Sequence, residues 1–195
     1  MAQTFFLFSP IGYAEQGNKI DKSAFLSYAL QAVEDSKTSC NPNDERSIAM
    51  DTQVPLISTC TTGPLGVVHL PRLWQKLRLS AKGLLAEGYR AGEGGFDEML
   101  LEALGISSAA AIAFVQETQP TYLAFEAWVE ENAGSLTAAA IEQINESILS
   151  IQKPEPWRSE MLDLLGLPKD DKGWLATELN DLEDWRDFHL ALLEA

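Results

Sequence analysis

The sequence predicts a mainly α fold: a compact multi-helix domain of about eight helices, with at most one or two short strands near the N-terminus. Three observations carry this expectation. Apolar residues recur three and four positions apart through most of the chain beyond residue 70. Proline, serine and threonine stand where those segments start and glycine where they stop, the punctuation expected of helices. Only Phe5-Phe6-Leu7-Phe8 has the continuous apolar and aromatic character of a strand.

Residues 3–8 are therefore expected as one strand, closed by Pro10. Asp21 reads as the N-cap of a helix to about Glu34, with Ala24, Phe25, Tyr28, Ala29 and Val33 on its apolar stripe. From Asp35 to Pro64 turn-forming residues dominate, including Cys40-Asn41-Pro42-Asn43, Val54-Pro55 and Gly63-Pro64, so a long surface loop is expected. The whole chain, 1–195, reads as a single helical domain in which 1–35 can stand as an N-terminal extension and 36–66 as the loop.

The strongest helix signal begins at Pro71, because proline suits a first helical position whose N–H would have no partner anyway. At 100° per residue, Leu70, Leu73, Trp74, Leu77, Ala81, Leu84 and Leu85 fall on one arc about 120° wide, which should face the core. Arg72 and Lys76 project from the opposite side, and Arg78 and Lys82 flank the arc one turn apart. Next, Gly88-Tyr89-Arg90-Ala91-Gly92-Glu93-Gly94-Gly95-Phe96-Asp97 is too glycine-rich for a stable helix. Asp97 is expected to cap the helix that follows, which stops at Gly105. Ser107 or Ser108 caps another to about Thr118, and a helix after Pro120 spaces Tyr122, Phe125 and Trp128 as a core stripe. Thr137 starts one to about Ser150, Pro156 one that stops at Gly166, and Asp181 a last one with Leu182, Trp185, His189 and Leu190 on one side. The likeness between Leu100–Ile106 and Met161–Leu167 is what two amphipathic helices with glycine stops would give.

Composition bounds the partners. Hydrophobic residues make up 46% and charged residues 22% of the 195, ordinary values for a soluble globular protein. With 29 acidic against 14 basic residues, the formal net charge of −15 repels phosphate backbones and anionic bilayers, so neither nucleic acid nor membrane is expected as a partner. Phe5–Phe8 is too short to span a bilayer and no Lys or Arg precedes it, which argues against a secretory signal. Cys40 and Cys60 lack CxxC spacing and read as two thiols of a reducing compartment, so a cytoplasmic location is expected. Two cysteines and two histidines at these separations do not make a zinc site, and no helical ExxH or HExxH spacing occurs. No metal and no cofactor are expected. His189, among several carboxylates, reads as part of a solvated acidic face.

The charge is unevenly spread. Between Asp51 and Glu87 there is no acidic residue, yet Arg72, Lys76, Arg78 and Lys82 lie there, with His69 upstream and Arg90 just beyond. The glycine loop beside this island can cradle an anion with its backbone N–H groups, although it matches neither the phosphate-loop pattern nor the dinucleotide fingerprint. It reads equally as a flexible connector. His69, one turn from Arg72, suits carboxylate or phosphate binding or proton transfer, and suits equally a hydrogen-bonded histidine at a domain edge.

The stretches Gly63-Pro64-Leu65-Gly66-Val67-Val68-His69-Leu70-Pro71-Arg72-Leu73-Trp74, Gly88-Tyr89-Arg90, Gly94-Gly95-Phe96-Asp97 and Pro120-Thr121-Tyr122 leading to Phe125-Glu126-Ala127-Trp128-Val129 resemble the domain-of-unknown-function 5069 family. The likeness covers about residues 40–190. It implies a small, mainly helical, soluble bacterial protein and carries over no catalytic residue.

Two functions follow from the residues. In one, an anionic small molecule binds where His69, Arg72, Lys76, Tyr89, Arg90, Gly94 and Gly95 converge, with His69 moving a proton and Arg72 and Arg90 holding the charge. In the other, the chain is a protein-interaction or scaffold module without a small-molecule site, one version being a homodimer formed through Phe5, Phe6 and Phe8. The residues leave open whether the chain is an enzyme.

Overall fold

The computed structural model describes residues 52–169 and 173–194, and these form a helical domain with no strand longer than an isolated bridge. Seven helices are present among the described residues: α1 (Leu70–Ala81), α2 (Gly95–Leu104), α3 (Ser108–Thr118), α4 (Tyr122–Asn132), α5 (Ala138–Leu149), α6 (Trp157–Leu165) and α7 (Ala176–Glu194). The strand expected at 3–8 and the helix expected at 21–34 lie outside the described residues, as does Cys40; Cys60 is exposed. No single helix among the described residues is long and apolar enough to cross a membrane.

Local chemistry accounts for most boundaries. Ser107, Thr121 and Thr137 each sit in extended conformation as N-cap, their hydroxyls accepting from the N–H groups of Ala110, Ala124 and Ala140. Each such cap is worth about 1 kcal/mol relative to alanine. Gly105 and Gly166 close α2 and α6 in the left-handed region at φ 72° and 66°, where a Cβ would be strained.

Helix α1 packs against α3 and α4, α2 against α5, and α6 against α7. Leu70, Leu73 and Leu77 of α1 meet Leu100, Leu101 and Leu104 of α2, Val115 of α3, Phe125 and Val129 of α4 and Ile148 of α5 in one buried cluster. The aromatic stripe anticipated on α4 is part of this packing: Trp128 stacks on Phe114 at 4.6 Å between ring centroids, and Phe125 is fully buried.

Polar ties fix the chain that enters α1. The Asn145 side chain on α5 accepts from Val68 N–H at 2.9 Å and donates to the Gly66 carbonyl at 2.8 Å. On α4, Glu126 Oε1 accepts from Leu65 N–H at 3.0 Å and from the Tyr122 hydroxyl at 2.7 Å. His69 follows directly, so its position is set from both helices.

Four expectations need correction. Helix α1 stops at Ala81, because Gly83 turns at φ 67°, and Leu84 and Leu85 instead run beside Gln53, whose N–H donates to the Leu84 carbonyl. Asp97 does not cap α2; it lies in the first turn, and Gly94 is the N-cap. The last helix begins at Ala176 rather than Asp181, and Trp185, His189 and Leu190 lie on its exposed side, while Leu179 and Asp184 face inward. The described part of the 36–66 loop is not wholly a surface feature, since Pro55 and Thr59 are buried.

Replacing Phe125 by alanine should lower unfolding free energy by about 3–5 kcal/mol, the usual range for truncating a buried phenylalanine. Urea or guanidinium denaturation followed by far-UV circular dichroism reads this as a drop in midpoint at unchanged slope.

Candidate functional site

His69 introduces the site with an unusual backbone. It precedes α1 at φ 66°, a left-handed conformation uncommon outside glycine, asparagine, aspartate and histidine. Strain of this kind costs about 1–3 kcal/mol and persists only where surrounding contacts impose it. Here both ring nitrogens are engaged. Nε2 lies 2.7 Å from Asp97 Oδ1, and Nδ1 lies 3.3 Å from Thr59 Oγ1. A neutral imidazole satisfies both contacts, donating from Nε2 to the carboxylate and accepting from the threonine hydroxyl at Nδ1. Burial pushes the His69 pKa below its ordinary 6.5, against the opposing pull of the Asp97 carboxylate. His69 is thereby an orienting group, with no ring nitrogen left for a ligand.

Asp97 is the hub. Its carboxylate is fully buried and accepts from His69, from Lys76 Nζ at 2.8 Å and from Gly92 N–H at 2.8 Å. Burial alone would raise its pKa, but the hydrogen bond from His69 and the Lys76 charge outweigh that and hold the carboxyl below the usual range. Gly92 reaches Asp97 at φ 78°, and a Cβ there would come within 3.1 Å of Ile112, so both conformation and space call for glycine. Gly94, at φ 69° and ψ 158°, occupies a region that is essentially glycine-only.

Arg72 makes the second ion pair. Its guanidinium donates to both carboxylate oxygens of Asp184 on α7, at 2.6 and 3.1 Å, and to the carbonyls of Pro55 and Ile57 at 2.7 and 2.9 Å. The Tyr89 hydroxyl donates to Asp184 Oδ1 at 2.8 Å and lies 3.3 Å from Asp187 Oδ2. Burial and these carboxylates raise the Tyr89 pKa well above 10, which keeps the phenol protonated.

Between these two pairs opens a cleft of about 400 Å³. All seven residues singled out from the sequence, His69, Arg72, Lys76, Tyr89, Arg90, Gly94 and Gly95, line it. They differ in availability. His69 and Arg72 are buried and saturated with protein contacts, whereas Arg90 is exposed, and no hydrogen bond or ion pair among the described residues engages it. Its guanidinium carbon lies 3.2 Å from where a Cβ on Gly94 would stand, beside the N-terminus of α2, which no side chain among the described residues caps. Lys76, with 12% of its side chain exposed, comes to the same first turn through Asp97.

The sequence did not anticipate the opposite wall. Asn180, Glu183, Asp184 and Asp187 of α7, and Lys153 and Trp157 before and at the start of α6, complete the cleft. The hollow is consequently not uniformly electropositive: Arg72, Lys76, Arg90 and Lys153 are outnumbered by Glu87, Glu93, Asp97, Glu183, Asp184 and Asp187. Burial raises the Glu183 pKa, partly offset by the Lys153 charge. Among the described residues no three His, Cys, Asp or Glu side chains group so as to hold a metal ion.

Fold and cleft together define an all-α domain built around a buried histidine–aspartate–lysine cluster. The chain belongs to the family described as Domain of unknown function (DUF5069), whose family model matches residues 60–185, a span that runs from the loop before α1 into α7 and contains both ion pairs. No curated protein matches this chain.

Two measurements test the cluster. Asp97→Asn should cost about 3–5 kcal/mol of stability, because it strands a largely buried ammonium without its carboxylate, and chemical denaturation reads the loss. The His69 prediction concerns pH. The unfolded chain binds a proton on His69 near 6.5 and the folded chain only at lower pH, so its contribution is complete above that value and falls away below it. Between about pH 7.5 and about pH 5.5 the denaturation midpoint should drop more for the native sequence than for His69→Gln. Equal drops would mean that folding leaves the His69 pKa where it is in the unfolded chain, and a smaller drop for the native sequence that the folded imidazole is charged.

Proposed function

We propose that this cleft binds a small anionic metabolite. The observation carrying the reading is that Lys76, Arg90 and the uncapped start of α2 gather at one end of a cavity large enough for such a molecule. An ammonium has three donors, and Asp97 takes one from Lys76, leaving the others for a ligand. Helix N-termini attract carboxylate and phosphate groups through their free N–H groups and the helix dipole. Arg90 supplies a planar guanidinium suited to either group. His69 and Arg72 act one step back, fixing Asp97 and α7 so that the ligand-facing groups do not have to reorganise. The volume fits the range of small-molecule sites, and Tyr89, Phe96 and Trp157 give the cleft aromatic surface for the ligand's body.

A second reading, an interaction module, is favoured by one observation. Trp185, Phe188 and Leu192 are all exposed on α7 at helical spacing, an apolar stripe of the kind that partner proteins cover. Homodimerisation through Phe5, Phe6 and Phe8, the version read from the sequence, concerns residues outside those described.

Thermal-shift screening against phosphorylated and carboxylated metabolites tests the first reading. A ligand present at 100 times its Kd should stabilise the fold by about 2.7 kcal/mol, and Arg90→Ala should abolish the shift while leaving the unliganded melting temperature unchanged. Hits whose shifts survive Arg90→Ala and Lys153→Ala would refute the site. Arg72→Ala is not a fair probe, since it breaks a buried ion pair.

A further inference from the structure

Lys76 stands out within the cleft as a lysine in an environment poor for a lysine kept only for its charge. Its side chain is largely buried, and among the described residues its Nζ has a single hydrogen-bond partner, Asp97 Oδ2. That carboxylate is held in place by His69 and Gly92 N–H, so it cannot swing to follow the amine. The Arg72 guanidinium adds a like charge nearby. Burial, chiefly, pulls the Lys76 pKa below 10.5, with Arg72 acting in the same direction and Asp97 opposing. Desolvated lysines next to other cations are the ones that serve as amine nucleophiles.

We infer that Lys76 forms an imine with a small aldehyde or ketone that also carries a carboxylate or phosphate. The inference rests on the anion-binding reading of the same cleft: Arg90 and the start of α2 hold the anionic group, and the carbonyl carbon meets Nζ. The Lys76 ammonium first releases one proton to water in the open cleft, and the lone pair of the resulting amine then forms the new C–N bond while the C=O π electrons move onto oxygen. Asp97 Oδ2, 2.8 Å from Nζ, accepts a proton from nitrogen and delivers it to that oxygen, giving the carbinolamine. Loss of the second N–H proton and of the hydroxyl as water leaves the C=N bond. Amine and carbonyl compound thus become imine and one water, with no oxidant or reductant consumed. His69, hydrogen-bonded to Oδ1, keeps Oδ2 aimed at Nζ throughout.

Reductive trapping tests this. The full chain is incubated near neutral pH with pyruvate or glyceraldehyde 3-phosphate and cyanoborohydride, then mapped by peptide mass spectrometry. The reduced adduct should appear on Lys76 severalfold above its level on the exposed Lys82 and Lys169. Lys76→Arg, which retains a cation facing Asp97, should remove that adduct while the chain still unfolds cooperatively, and Arg90→Ala should lower its yield. Labelling spread evenly over exposed lysines, or absent from Lys76, overturns the imine. Glycerol phosphate, which has no carbonyl, separates the two readings. If it shifts the melting temperature of both native and Lys76→Arg chains while no adduct forms, the imine alone is wrong. If neither shift nor adduct is seen, the anion-binding reading falls with it.

Discussion

One buried carboxylate organises this protein's cleft. Asp97 gathers donors from the turn before α1, from α1 itself and from the glycine loop, tying together with polar bonds three segments that also meet in the apolar core. Removing a carboxylate from water carries a penalty of several kcal/mol, which only well-placed partners offset. The arrangement therefore works as a specification: any rearrangement of the loop or of His69 leaves a buried charge with too few hydrogen bonds. It also explains the left-handed backbone at His69, whose ring must reach Asp97 on one side and Thr59 on the other.

The acid-free stretch from 52 to 86 acquires a structural explanation alongside the functional one. Three of its four cations are matched by groups supplied from far along the chain: Lys76 by Asp97, Arg72 by Asp184, and Arg78 by the Gln119 side chain. Carboxylates placed within the stretch would compete for these cations locally and loosen the long-range ties. Arg72 is the strongest example, because its guanidinium joins α1, the 55–57 loop and α7 in one hydrogen-bonded unit. Of the basic island, only Arg72 and Lys76 line the cleft, joined there by Arg90 just beyond it, and Arg72 is taken up by Asp184.

The parts of the fold that were legible in the sequence are those decided within one or two turns. Caps at Ser107 and Thr137, glycine stops at Gly105 and Gly166 and the proline-led start of α1 depend on neighbours a few residues away. The near wall of the cleft was legible for a related reason, since His69 through Gly95 belong to two consecutive segments with unusual composition. Asp97 was misread because an aspartate at a helix start suits an N-cap as well as a first-turn position, and only the long-range donors decide between them. The α7 wall was hidden by abundance: in a chain with 29 acidic residues, nothing local distinguishes Asp184 from the others. The exposed position of Trp185 was equally hidden, because an apolar stripe on a helix signals packing without saying against what.

These constraints determine which residues remain free to act. Arg72 cannot turn toward a ligand without stranding Asp184, and His69 cannot take up a proton without reversing its bond to Thr59 and placing a further charge in a buried site. Both are spent on geometry. Groups committed in this way make a rigid frame, and a rigid frame is what a binding or reacting site requires, since reorganisation on ligand arrival subtracts directly from affinity and rate. Lys76 lies at the boundary between frame and cleft: its Nζ donates to Asp97, and the residue lines the cavity. The same contact that fixes the amine in space also sets a carboxylate oxygen beside it, so its structural role and the proposed chemical one need not be separate.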